Sequence, residues 1–199
     1  MRPLRILLAM AILASISLHT NAQFIEPERD DTIRLMPKGP FDSVAAANAL
    51  AQGNSAIKGV AYLRPGNSKI LAKKTRILLF PSTPYLKEYL KLQKKADANK
   101  KVVAHLGQSA WNYHLEAISN SLGEFTFPNL KPGTYYLETL VQWQQTEYQE
   151  RTTGNGYNAE TGVTHYTSYE PWVRDRANVI SKFVEIGKDG QVLKVLLTK

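Results

Sequence analysis

The chain has 199 residues, 43% of them hydrophobic and 10% aromatic, so it carries enough apolar surface for a core and does not read as a disordered tail. Lys plus Arg number 25 against 17 Asp plus Glu, a formal charge of +8, and Arg2 and Arg5 at the very start supply two of those charges. Cysteine is absent, which excludes disulfides, thiol nucleophiles, cysteine-bound zinc or iron–sulfur clusters and a lipidated cysteine.

Arg2 and Arg5 precede an uncharged apolar run, Ile6 to Leu18, and Thr20 and Ala22 then occupy the −3 and −1 positions of a cut before Gln23. A basic start, a run shorter than the roughly 20 apolar residues of a spanning helix, and small residues at the cut predict a secretory signal peptide over 1–22. The alternative is an uncleaved N-terminal anchor. No later stretch is long and apolar enough to be a spanning helix, so the expected location is periplasmic or secreted. Without cysteines, such a protein must be held by its core.

Residues 23–55 read as an extension, rich in proline and charge at its start. Within it, Ser43 to Ala51 has good helix formers, with Asp42 as N-cap and Gly53 as stop. This short helix is expected to dock through Val44, Ala47 and Leu50, or to order on a partner. From Ile57 the pattern becomes strands: Ile57 to Leu63, a turn at Arg64-Pro65-Gly66-Asn67, then the apolar run Arg76 to Phe80. Pro84 to Ala98 reads as a helix capped by Ser82 or Thr83, with Leu86, Tyr89, Leu90 and Gln93 on one face and Lys87, Lys91, Lys94 and Lys95 on the other.

Strand-like segments follow at Val102–Leu106 and Tyr113–Ile118, then the alternating Glu124-Phe125-Thr126-Phe127 and a long aromatic and β-branched run from Thr134 to Trp143. Tyr148 to Tyr169 reads as an elongated hairpin or loop containing Gly154, Gly156 and Gly162. Val179–Ile186, the turn Gly187 to Gly190 and Val192–Leu197 read as a terminal hairpin. Short strands with one inserted helix predict a mainly β protein, an antiparallel β-sandwich carrying a helix at about 84–98 and a short N-terminal helix.

The run Gly123-Glu124-Phe125-Thr126-Phe127-Pro128-Asn129-Leu130-Lys131-Pro132-Gly133-Thr134-Tyr135-Tyr136-Leu137 is the most specific in the chain. Phe125 and Phe127 share one face of a strand and suit the gap between sheets. Leu130 suits the end of a sandwich, and Pro132-Gly133 turns the chain so that Tyr135 or Leu137 returns to the core. The pattern resembles the carboxypeptidase regulatory-like domains, which have a transthyretin-like (prealbumin-like) fold, and the resemblance spans about Ile57 to Leu197. The Pro81-Ser82-Thr83-Pro84-Tyr85 segment with its helix is similar to an insert in a bacterial exported subset. The resemblance implies a domain over 56–199 that serves as a non-catalytic module for stability, contact or display. A related branch with this fold, the hydroxyisourate hydrolases, ends in a Tyr-Arg-Gly-Ser motif that builds its active site, whereas this chain reads Val195-Leu196-Leu197-Thr198-Lys199.

The mature chain has three histidines, His105, His114 and His165, and no H-E-x-x-H, G-x-S-x-G or glycine-rich phosphate motif. His114 and Glu116 share a strand face and suit a small polar site, but strand histidines more commonly belong to a half-buried surface. No metal, cofactor or catalytic set is expected, and a hydrolase centred on these histidines ranks last. The lysines of the 84–98 helix suit either a solvated face or an acidic partner or anionic lipid. They lack the interleaved aromatics of a nucleic-acid surface.

Between Trp143 and Trp172 stand Trp143, Tyr148, Tyr157, His165, Tyr166, Tyr169 and Trp172 among Gly, Thr, Asn and Gln. Tyrosine and tryptophan among small polar residues are the composition of contact surfaces, and aromatic rings also stack on sugars. Equally, a long hairpin covers its own strands with such residues. The sequence therefore predicts a non-enzymatic exported module for protein contact or envelope assembly, or alternatively one binding carbohydrate or cell wall through 143–172.

Overall fold

A computed structural model describes residues 31–199, apart from the side chain of Thr164; the expected leader at 1–22 and the start of the extension lie outside the described residues. Residues 33–199 cluster as one unit. Its elements in chain order are β1 (Ile33–Leu35), α1 (Ser43–Leu50), β2 (Ser55–Leu63), β3 (Ile70–Leu71), β4 (Arg76–Pro81), α2 (Pro84–Gln93) and β5 (Val102–Ala104). They continue with α3 (Gln108–Trp111), β6 (Leu115–Ile118), β7 (Glu124–Leu130), β8 (Gly133–Asn158), β9 (Gly162–Ile186) and β10 (Val192–Leu197).

Two four-stranded sheets enclose the core. One is built on β2, flanked by β10 and β7 and extended by β3; the other runs β6-β4-β8-β9. The chain is thus a mainly β protein, a sandwich whose pairings are antiparallel except β10 on β2 and the short β1 on β5.

The alternation on β7 places Phe125 and Phe127 inward, 4% and 2% exposed, with ring centroids 6.0 Å apart at an edge-to-face angle of 71°. Each buried phenylalanine is worth roughly 1.5–3 kcal/mol. The Phe125 ring crosses β2 at Gly59, where a Cβ would stand 2.6 Å from the ring's Cζ and 2.6 Å from the Val195 carbonyl oxygen. Leu130 closes the end of the sandwich, and Tyr135 and Leu137 both return to the core after the turn. Pro128 lies on β7, which among the described residues pairs with β2 alone, and an edge strand tolerates the missing N–H.

The segment 33–55, read as an extension, packs on the sandwich. Asp42 caps α1 by accepting from the Ala45 N–H, but Ala46 is the buried residue and Leu50 reaches the core, while Val44 and Ala47 face outward. The docking is tied from outside the helix: the Tyr135 hydroxyl lies 2.8 Å from the Lys131 carbonyl and 3.0 Å from the Ala49 carbonyl, joining the end of α1 to the corner before β8. Phe41 packs on Tyr85 and Tyr113 with centroids 5.6 and 5.4 Å away.

The helix expected at 84–98 stops at Gln93. Thr83 caps it through Leu86 N–H, and Pro84 occupies its first turn. At the other end Asp97 and Val102 bond each other reciprocally and draw the chain away. The expected terminal hairpin does not form. Asn54 donates to Asp189 and Ser55 to the Lys188 carbonyl, tying the 187–190 turn to the start of β2, so β10 crosses to the other sheet and runs parallel to β2.

α2 covers part of the outer face of the β6-β4-β8-β9 sheet, where Leu86 packs with Phe80 and Tyr136. Glu138 lies in this layer and accepts from the Tyr136 hydroxyl at 2.9 Å. Burial pushes its carboxyl above the ordinary glutamate range, against the opposing effect of that hydrogen bond.

Two outcomes follow from this packing. Gly59→Ala is expected to destabilise by about 1–3 kcal/mol in urea unfolding, and Phe125→Leu in the same chain to recover part of that loss by vacating the space. Because the folded Glu138 titrates above its unfolded value, its contribution is full at low pH and fades as pH rises through the folded pKa. Glu138→Gln should therefore flatten that decline, read as melting temperature against pH.

Candidate functional site

β8 and β9 outrun the sandwich. β4 pairs with β8 only from Tyr135 to Thr139, yet the β8–β9 ladder continues from Gly133–Ile186 to Asn158–Gly162. What read as an elongated hairpin or loop is a continuous two-stranded ribbon projecting roughly 60 Å past the sheet at about 3.3 Å per residue. It ends in a turn where Gly162 adopts φ +82° and the Asn158 side chain accepts from the Glu160 N–H.

Strand alternation divides the seven candidate residues between two faces. The core-side face follows Tyr135, Thr139 and Val141 outward, and a bulge between Thr152 and Gly154 shifts the β8 register beyond it. Trp143, Trp172 and Tyr166 lie on this face; Tyr148, Tyr169, His165 and Tyr157 lie on the opposite one. Trp143 belongs to the scaffold: it packs on the core and its indole N–H donates to Asn178 at 2.7 Å. His165 bonds Asn155 across the strands at 2.6 Å. Tyr148, Tyr157 and Tyr169 are well exposed. Tyr166 lies over Gly156, where a Cβ would come within 2.8 Å of its hydroxyl.

Around Trp172 the polar groups converge. The Arg174 guanidinium carbon sits 4.7 Å from the indole centroid. Arg176 donates to Gln145 and to Glu147, each at 3.0 Å, and Arg174 approaches the same Glu147 carboxylate at 4.0 Å. Glu147 is the cross-strand partner of Trp172. Further out, Arg151 pairs with Glu170 at 3.2 Å. An indole half open to solvent thus stands among ordered carboxylate, guanidinium and amide groups, combining an apolar plate with fixed donors and acceptors.

The other candidates lie apart from the ribbon tip. Lys87, Lys91 and Lys94, at i, i+4 and i+7, line a groove of about 430 Å³ with Leu90, Thr134 and Phe183; Lys95 falls in the turn beyond the helix. His114 bonds Glu116 at 3.0 Å with one ring nitrogen and the Trp111 carbonyl with the other. Among the described residues, no group of three or more His, Cys, Asp or Glu side chains is placed to hold a metal. The sequence hid the pairing of Trp172 with Arg174, Arg176 and Glu147, because the register joining 147 to 172 depends on where the turn falls.

No family model matches the chain, and no curated protein does. Among solved structures it is similar to a Pseudomonas aeruginosa protein provisionally named a carbohydrate binding protein. The TM-score is 0.58 and the identity 22%, over 81% of this chain and 99% of that one. A likeness at that identity establishes a shared fold.

The ribbon beyond the root is outside the core, so the sandwich should not need it. Replacing residues 146–173 with Asn-Gly between Gln145 and Arg174 is expected to leave cooperative unfolding intact, with a midpoint near that of the parent in thermal denaturation.

Proposed function

We propose that this chain is a non-enzymatic carbohydrate-binding module of the carboxypeptidase regulatory-like type, exported to the cell envelope, that engages glycan through the Trp172 face of its ribbon. The observation that carries the reading is the half-exposed indole with Arg174 against its ring and Glu147, Gln145 and Arg176 fixed beside it. Sugar rings present an apolar face and a rim of hydroxyls, and this face offers a matching plate and polar fringe. The carboxylates of the face, Glu147 and Glu170, are each held by arginine, an arrangement of recognition rather than of free acid or base. The carbohydrate-binding name of the structural neighbour supports the same class.

A second reading, contact with a protein, is favoured by the backbone of the ribbon: past Thr139 the outer edge of β8 has no strand partner among the described residues, an edge onto which another strand can add.

Affinity electrophoresis with soluble glycans and sedimentation with peptidoglycan separate the two. Trp172→Ala should weaken glycan binding by about 1–3 kcal/mol, by analogy with base stacking on aromatic rings, and Trp172→Phe should retain most of it. Tyr148→Ala with Tyr169→Ala, on the opposite face, should leave binding unchanged. Parental binding by Trp172→Ala would contradict the assignment.

A further inference from the structure

The segment from Lys69 to Arg76 holds four cations, Lys69, Lys73, Lys74 and Arg76, and no acid. These residues form one wall of a cleft of about 870 Å³ at the root of the ribbon, and Leu140, Val141 and Gln142 form the other. Gln142 lies on β8 just past its last pairing with β4, where the strand edge is open.

The wall that carries the lysines is held in place. The buried Ser119 hydroxyl accepts from the Thr75 N–H at 3.0 Å and donates to the Ala72 carbonyl, and the Ser119 N–H donates to the Thr75 carbonyl at 3.0 Å. The Thr75 hydroxyl donates back to the Lys73 carbonyl at 3.0 Å. Lys74 is fixed at φ +50°, a left-handed conformation uncommon for a residue with a side chain. Both lysines therefore stand on a pre-formed turn, and ordering it on binding costs little.

Their charges differ in availability. Arg76 pairs with Glu116 at 3.4 Å, and Lys69 lies over the Tyr62 ring at 4.4 Å. Lys73 and Lys74 are exposed, and neither has a carboxylate within ion-pair distance among the described residues. Val141, which also lines the cleft, lies on the core-side face, and along that face the ribbon leads outward to Glu147, the partner of Trp172, a path of about 20 Å. Arg176 and Arg174 stand along it. Ammonium groups on separate stems suit single charges spaced along a chain, whereas planar bidentate recognition favours arginine.

We infer that this cleft binds an acidic glycan, a carbohydrate chain bearing carboxylates, with its charged units against Lys73 and Lys74 and its neighbouring rings running toward Trp172. The choice of glycan over other polyanions rests on the carbohydrate reading above.

Titration calorimetry on the full chain tests it, with polygalacturonate as probe, dextran as the neutral polymer and inorganic polyphosphate as the non-carbohydrate polyanion. Polygalacturonate should bind more tightly than either. Lys73→Gln with Lys74→Asn, the asparagine chosen because it tolerates the left-handed backbone, should weaken that binding by about tenfold and flatten its salt dependence. The melting temperature should stay at the parental value. Failure of the parent to bind polygalacturonate, parental affinity in the double variant, or equal affinity for polyphosphate would each overturn the inference. Binding lost in Trp172→Ala but kept in the lysine variant overturns this inference and leaves the ribbon site standing; the opposite pattern supports the cleft and removes the ribbon site.

Discussion

The packing of the two β7 phenylalanines against β2 is the constraint on which the rest of the molecule depends. Phe125 lies over Gly59 so closely that a single methyl group there meets both its ring and the Val195 carbonyl. That contact fixes the spacing of β7, β2 and β10, and Phe127, Leu130, Tyr135 and Leu137 then fill the space to the second sheet. With no cysteine in the chain, this interior holds the sandwich without a covalent cross-link. The Tyr135 hydroxyl extends the same core to α1 by bonding the Ala49 carbonyl.

A rigid base allows two strands to be much longer than the sheet that starts them. Past the sandwich, β8 and β9 pair only with each other among the described residues, and an isolated ribbon is marginal in water. Here the cross-strand side chains supply the missing support: Trp143 with Asn178, Gln144 with Asp175, Arg176 with Gln145 and Glu147, Arg151 with Glu170. All of these except Gln144 with Asp175 lie on the core-side face, so the pairs that hold the ribbon also order the polar surroundings of Trp172. The opposite face, with Tyr148, Tyr169 and Tyr157, has a different character because alternation sends successive residues to opposite sides.

Much of the sandwich was legible because its signals are local. Alternating phenylalanines, the Pro-Gly corner, the Asp42 and Thr83 caps and the apolar run of β4 each declare an element within a few residues. The errors arose where distant partners decide. α1 docks by Ala46 rather than Val44 because Tyr135 and the core choose its face, and α2 ends early because Asp97 is captured by Val102. The last strand crosses to β2 because Asn54 and Ser55 hold the turn before it. At the site, the aromatic composition of 143–172 was plain, but its division into two faces and the removal of Trp143 to the scaffold required the register. The Lys69–Arg76 cluster matches no motif in the sequence, and only its position opposite Gln142 makes it a wall of a cleft.

The chain contains three tryptophans, Trp111, Trp143 and Trp172, so its indole N–H signals form a short and readable spectrum. Following them by NMR while an oligosaccharide is titrated tests the central claim most directly. Trp172 should shift progressively and saturably, Trp143 should shift less because Asn178 holds its N–H, and Trp111, which packs on His114 and Phe80, should stay in place. A titration in which Trp111 moves while Trp172 remains still would place the glycan away from the ribbon and contradict the account.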